Sequence, residues 1–201
     1  MNRRRFIWQK AQAQSGLPEG YTAVDYLQSS GTQWINTGYK YGIESDIEVK
    51  FGTYANGTLL GAQDSDNNNY KFVIVLIGDN LWAGRGTSVQ LYMGGMIKPL
   101  TLKNTSSLFK LTDSIGEEKR AVSNNPDYVG SQLTIYLFAR HTPTGTTNMI
   151  KSQIYYCRFY ENGELVCDMR PCLDADGVPC MYDLIRQQTL YNKGTGSFTW
   201  G

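Results

Sequence analysis

From Tyr21 onward, apolar positions recur every second residue in short runs separated by Gly, Asn, Asp and Pro. Ser45–Phe51 is the cleanest run: Ile47, Val49 and Phe51 alternate with Asp46, Glu48 and Lys50. A period of two places one set on a buried sheet face and the other toward water. Thr22–Leu27 and Thr32–Asn36, on either side of Ser29-Ser30-Gly31, read as strands. So do Thr58–Ala62, Asn80–Gly84, Ser88–Met93, Ile97–Leu102, Ser107–Thr112 and Gln132–Arg140. Tyr70–Ile77 is almost continuously apolar, as in a strand covered on both faces. Ile154–Tyr160 and Glu164–Arg170 flank Asn162-Gly163, the strongest short hairpin signal. Met181–Ile185 and Ser197–Trp200 follow. About a dozen short strands at roughly ten-residue spacing predict an all-β sandwich or barrel.

Composition agrees with strands and turns: 14 Tyr and 21 Gly favour twisted sheet and tight turns over helix. The net charge of +1 supplies no global basic field, so nucleic acid is not an expected partner. No run approaches the ~18 apolar residues of a membrane span. At the N-terminus, Arg3-Arg4-Arg5-Phe6-Ile7 resembles a twin-arginine signal and Ala11-Gln12-Ala13 a cleavage site. Only Phe6, Ile7 and Trp8 stand between the basic residues and Gln9, against the roughly 7–15 apolar residues a signal needs. Residues 1–15 therefore read as a basic segment, either a frayed end or a docking peptide, with a Gly- and Pro-containing linker to residue 20.

Four cysteines stand at 157, 167, 172 and 180, with no Cys-x-x-Cys and only one histidine, His141. That pattern does not suit zinc. A two-residue turn at Asn162-Gly163 would set position 157 opposite 168, turning Cys157 and Cys167 to opposite faces. A three-residue loop would set those two cysteines across from each other. Reduced, packed thiols are expected, although Cys172 and Cys180 could bridge the Asp174-Ala-Asp-Gly177 loop.

Two distant segments carry a family resemblance. One is Tyr21-Thr-Ala-Val-Asp-Tyr-Leu-Gln-Ser-Ser-Gly-Thr-Gln-Trp-Ile-Asn-Thr-Gly38. The other is Ile154–Tyr160 with Asn162-Gly163, Asp168, Pro171-Cys172, Asp176-Gly177, Met181-Tyr-Asp183, Tyr191-Asn192 and Gly194-Thr-Gly-Ser-Phe198. Together they resemble the concanavalin A-like (laminin-G-like) jelly-roll modules of gut-bacterial phages, prophages and bacterial surface proteins. The resemblance covers residues 21–201. It implies an antiparallel two-sheet jelly-roll β-sandwich with a short N-terminal extension, residues 1–20, and with first and last strands side by side. By the same analogy the chain is a non-catalytic virion surface component, decorating a capsid or forming part of a fibre, made in the bacterial cytoplasm. Arg3, Arg4, Arg5, Phe6, Ile7 and Trp8 would then attach it to other virion proteins or to copies of itself. The alternative is a carbohydrate-binding or adhesion module at the bacterial surface.

Glu44, Asp46 and Glu48 resemble the Glu-x-Asp-x-Glu signature of retaining glucanases of this fold, with Glu44 as nucleophile and Glu48 as acid/base. Ser45 in place of an apolar residue, and Lys50 continuing the polar face, favour an ordinary solvated strand. Sugar binding needs aromatic surface and a few fixed polar groups, for which Tyr70, Trp82, Arg85 and Tyr92 are the candidates. Trp34 and Trp200 are expected in the core. Asp64, Asp66 and Asn68 are weak calcium candidates in a loop without EF-hand spacing, and no cofactor is expected. His141 falls in a polar stretch, Arg140–Met149, read as a surface loop. Gly84-Arg85-Gly86 reads as a tight turn.

Overall fold

The computed structural model describes residues 16–65, 68–105, 107–123 and 125–201. Two sheets pack face to face. The larger has eleven strands, running in the order Glu118–Val122, Leu108–Thr112, Leu100–Thr105, Ser45–Tyr54, Lys151–Glu161, Glu164–Leu173, Pro179–Asp183 and Gln188–Leu190. Thr22–Ala23, Leu27–Ser30 and Thr199–Trp200 pair onto it from outside that path. The smaller sheet orders Gly145–Thr147, Arg140–Thr142, Gly57–Gln63, Lys71–Ile77, Asn80–Arg85 and Thr87–Tyr92, joined by Ile35–Lys40 and Thr134–Leu137. The predicted antiparallel sandwich is thus the observed fold. One parallel bridge, His141 to Ala62, is the exception to antiparallel pairing.

The alternation predicted for Ser45–Phe51 holds: Ile47, Val49 and Phe51 are fully buried, while Asp46, Glu48 and Lys50 face partly outward. Phe72, Ile74 and Leu76 supply the corresponding row of the smaller sheet, and all six join one apolar cluster. Each such side chain contributes about 1.5–3 kcal/mol through burial. The ring of Tyr39, on the smaller sheet, stacks on Phe159 of the larger at 4.3 Å, and Tyr41 stacks on Phe72 at 3.6 Å. Val73 and Val75, on the other face of Lys71–Ile77, are also buried, whereas Ile77 is exposed.

The ends of the chain's two motif segments meet. Thr199 and Trp200 pair with Gln28 and Leu27, and the Gly201 carbonyl accepts from the Asp25 and Tyr26 amides. Asn192 Oδ1 accepts from the backbone N–H groups of Trp34 and Gly194. The resemblance segments are therefore two sides of one joint, which explains why each contains turn-forming Asn and Gly.

At the Asn162-Gly163 hairpin, positive φ at both residues (51° and 79°) gives the two-residue turn predicted. The register beyond it differs from expectation. Tyr160 pairs with Leu165 but Phe159 pairs with Cys167, leaving Val166 as the extra residue of a bulge. Cys157 consequently lies opposite Met169, and Cys157, Phe159, Cys167 and Met169 all point into the core. The same shift sets Arg158 opposite Asp168.

Other expectations are also corrected. Gln132–Arg140 is not one strand: Phe138 adopts φ 64°, donating to the Leu59 carbonyl and accepting from Ile150, and the chain restarts as the Arg140–Thr142/Gly145–Thr147 hairpin. His141 is on that hairpin, half-buried, stacked on Tyr136 at 3.9 Å, with Nδ1 bonded to the Thr134 carbonyl at 2.8 Å. Trp34 stacks on the other side of this group, 4.3 Å from Tyr136, and is only half-buried. Trp200 is 51% exposed because its two-residue strand ends the sheet without a covering layer. All four cysteines are free and buried, with the sulfurs of the cross-strand partners Cys172 and Cys180 3.5 Å apart.

Candidate functional site

The outer face of the smaller sheet presents the most exposed aromatic pair among the predicted sugar-binding residues. Trp82 lies two residues along its strand from Asn80, whose cross-strand partner is Tyr92. Alternation puts Asn80, Trp82 and Tyr92 on one face, with Gln90 directly opposite Trp82. Trp82 is 37% exposed and Tyr92 58%, with exposed Ile77 opposite Asn80. Gln90 Nε2 donates to Asn80 Oδ1 at 2.5 Å, which orients both amides. The Lys119 ammonium lies 5.3 Å from the centre of the Tyr92 ring. Two open rings beside two fixed amides form a shallow surface suited to a polar ligand with apolar faces.

Arg85 and Tyr70 do not join this pair. Arg85 is the cross-strand partner of Phe72 and so faces the sandwich interior, where it lies 5.6 Å from the Tyr41 ring and 5.1 Å from the Tyr128 ring. Its Nη2 donates to the Gly42 carbonyl. Burial raises the pKa of both phenols against the lowering effect of the Arg85 charge, so both remain protonated donors. Arg85 floors a separate cleft of about 270 Å³ lined by Ile43, Glu44, Ser107, Ser123 and Tyr128. Tyr70 ends the short 3₁₀ turn Asn68–Tyr70, before the strand, and its carbonyl accepts from Asp64.

The three carboxylates of the 44–48 segment fall into two surroundings. Glu44, which precedes the strand, and Asp46 line a cleft beside Arg85. Glu48 sits mid-strand in a charged row crossing the larger sheet: Arg120, Lys110, Lys103, Glu48, Arg158 and Asp168 are successive cross-strand neighbours. Glu48 Oε1 accepts from Tyr156 Oη at 2.8 Å and Arg158 Nη1 at 3.2 Å, and Oε2 lies 3.7 Å from Lys103 Nζ. Burial, followed by the Glu48 bond, pushes the Tyr156 phenol up to about 12. Arg158 and Arg170 both lie over the Tyr156 ring, at 4.8 and 5.4 Å. Glu48 is an acceptor embedded in a structural network.

Asp64 accepts from the hydroxyl of Ser131 and the backbone N–H groups of Gln132 and Leu133. Those bonds fasten the 131–133 turn and occupy the carboxylate. Asp66 and the Asn68 side chain lie outside the described residues, as do Arg3, Arg4, Arg5, Phe6, Ile7 and Trp8. Among the described residues no three His, Cys, Asp or Glu side chains converge as a metal site. Asp174 is a turn residue, its Oδ1 accepting from the Asp176 and Val178 amides at 2.9 Å.

The hairpin around Arg140, beside Gln63, stands where the sequence predicts a surface loop. Its sequence signal is the Arg-His-Thr-Pro-Thr-Gly-Thr-Thr run: β-branched residues on both sides of a Pro- and Gly-containing turn.

No family model and no curated protein matches this sequence. The class that the geometry defines is a two-sheet antiparallel β-sandwich, compatible with a jelly roll.

Proposed function

We propose that this chain is a non-catalytic recognition module of a phage particle. The outer face of its smaller sheet would contact a host-surface saccharide, and residues 1–15 would hold it to neighbouring virion proteins or to other copies of itself. The observation that carries the saccharide contact is the exposed pair Trp82 and Tyr92 beside the bonded amides of Asn80 and Gln90. Sugar rings stack their C–H faces on aromatic surface while their hydroxyls take amide partners, and both elements are present here. The assignment to a virion rests on the family resemblance alone. The glucanase reading gains no support from Glu48, which the cross-strand donors Tyr156 and Arg158 hold and which Lys103 faces as an ion pair.

A broad glycan array with purified protein tests the contact. Binding should appear for a subset of saccharides and fall about tenfold in Trp82→Ala, and a clean negative array for the wild type would remove this reading. Deleting residues 1–15 should leave a folded, soluble domain that no longer enters the particle, and full incorporation of the truncated chain would remove the attachment role. The same aromatic face would serve an adhesion module at a bacterial surface, for which the deletion would have no particle to affect.

A further inference from the structure

The face that carries Trp82 continues to a second feature. Lys71 and Gln63 are cross-strand partners, and Lys71 shares its side of the strand with Val75, the partner of Trp82. Between them runs a low strip, Gly61, Val73 and Gly84, paired in a row across three strands. Arg140 joins Lys71 from the neighbouring hairpin. Its Nη1 donates to Gln63 Oε1 at 3.1 Å, and the Gln63 amide is fixed by its own Nε2 bond to the Ser65 carbonyl.

That is the one hydrogen bond made by the five N–H groups of Arg140 among the described residues, and its Nε is buried without a partner. Arg120, Arg158, Arg170 and Arg186 each sit against a carboxylate. Neither Arg140 nor Lys71 does, among the described residues. Burial lowers the proton affinity of both basic groups, and the Arg140 charge lowers that of Lys71 further. Two neighbouring, half-buried positive charges without a counter-ion are an electrostatic cost that a bound anion would remove. A groove of about 470 Å³ opens over Arg140, lined also by Gln63, Ser65, Thr142, Thr144 and Thr147. That volume lies in the ordinary range for small-ligand sites.

We propose that this groove binds the oxyanion of an acidic saccharide, a carboxylate or sulfate ester, with Arg140 meeting the charge, the threonine hydroxyls meeting the sugar, and Lys71, which stands beside the groove rather than in its lining, adding attraction from a distance. A guanidinium fork matches both oxyanions geometrically. Two cations in isolation, rather than a basic stripe, suit a single charged group and not a polyphosphate backbone. The oxyanion part stands on the uncompensated charges, and the saccharide part rests on the proposed reading of the Trp82 face.

Calorimetric titration of the full-length protein at low ionic strength tests this. The probes are a neutral oligosaccharide, its glucuronate-containing and sulfated counterparts, inorganic sulfate, and a polyglutamate peptide. One acidic saccharide should bind about tenfold or more tightly than the neutral one, as expected for a charge-assisted hydrogen bond. Which one does so identifies the oxyanion. Arg140→Gln, confirmed as folded by its melting temperature, should abolish that preference while leaving neutral binding unchanged, and Lys71→Gln, confirmed likewise, should reduce it by a smaller factor. Equal affinity for neutral and acidic sugars overturns the proposal and leaves the Trp82 reading standing, as does a preference that survives in Arg140→Gln. If no sugar binds but sulfate binds the wild type and not Arg140→Gln, the oxyanion site stands and the saccharide reading falls. Tighter binding of polyglutamate than of every sugar overturns the saccharide assignment.

Discussion

Arg186 and Thr37 tie the two sheets together: Arg186 Nη2, beyond the end of Pro179–Asp183 in the larger sheet, donates to the Thr37 carbonyl of the smaller sheet at 2.8 Å. Asp183 holds the guanidinium in place. It is fully buried, pairs with Arg186 Nε, and accepts from the Asp168 and Ile185 amides at 3.0 Å. Replacing Asp183 with Asn leaves the Arg186 charge without its partner, a change that costs roughly 3–5 kcal/mol when an ion pair is buried. Because Arg186 is 28% exposed, the lower end is expected. Urea denaturation of Asp183→Asn should show this loss, and an unchanged midpoint would show that the Asp183–Arg186 pair does not clamp the sheets.

Acid should destabilise the protein through carboxyls with lowered pKa. Burial pushes Asp183 up, but the Arg186 bond and the amide donors outweigh it, and the net shift is downward. Burial likewise opposes three amide donors to the Asp113 carboxylate, from Ile97, Glu117 and Ile115, and the donors prevail. At Asp174 the Val178 amide leads the lowering, helped by the Tyr191 hydroxyl at 2.8 Å. A folded pKa below the unfolded value gives stability that is present above the unfolded pKa of about 4 and lost as pH falls through the folded value. Urea midpoints should therefore hold from about pH 7 to 5 and decline below about pH 4. Asp174→Asn should flatten part of that decline, and an increase in midpoint on acidification would contradict the scheme.

The thiols should be inert in the native state. Burial raises the pKa of Cys157 and Cys167, while the Cys180 hydrogen bond and then burial raise that of Cys172. At those three the reactive thiolate is thus scarce, and all four sulfurs are shielded by burial. A chromogenic disulfide reagent should label the native protein slowly and all four cysteines quickly once it is unfolded in guanidinium. Rapid native labelling would show that the strands carrying Cys172 and Cys180 separate readily.

Gly163 occupies φ 79° at the hairpin turn, a conformation that costs a side chain strain. Gly163→Ala should lower stability by about 1 kcal/mol. A Phe51→Ala truncation in the core should cost about 3–5 kcal/mol. Equal losses for the two variants, measured by the same denaturation assay, would argue against this division between turn and core.

Strands with one wet and one dry face were readable because the pleat imposes a period of two, as at Ile47, Val49 and Phe51. Glu118–Val122 escaped notice since it is an edge strand in which Lys119 and Ala121 alone are half-buried, so its polar sequence carries little alternation. The Val166 bulge has no compositional mark: it arises because Cys167 and Met169 are both accommodated in the core, a tertiary demand. Phe138 broke its strand for a similar reason, its ring being buried against Phe198 in a backbone region that side chains rarely adopt. Of the four residues the sequence offers as sugar-binding candidates, Trp82 and Tyr92 share a face because of strand parity and register, while Arg85 falls on the opposite face from Trp82. The Arg140 groove depends on a hairpin lying beside Gln63, a contact between residues 77 positions apart in sequence.

The pairing of Leu27 and Gln28 with Trp200 and Thr199 has a kinetic consequence. The ribosome delivers the first of these strands more than 170 residues before its partner, so the native edge cannot close until residue 200 is available. Such distant contacts slow folding, because loop-closure entropy is lost before any pairing repays it. During synthesis the early strand edge stands open, whereas the turn in which Ser29 bonds Gln33, four residues on, needs no residue from the far end of the chain.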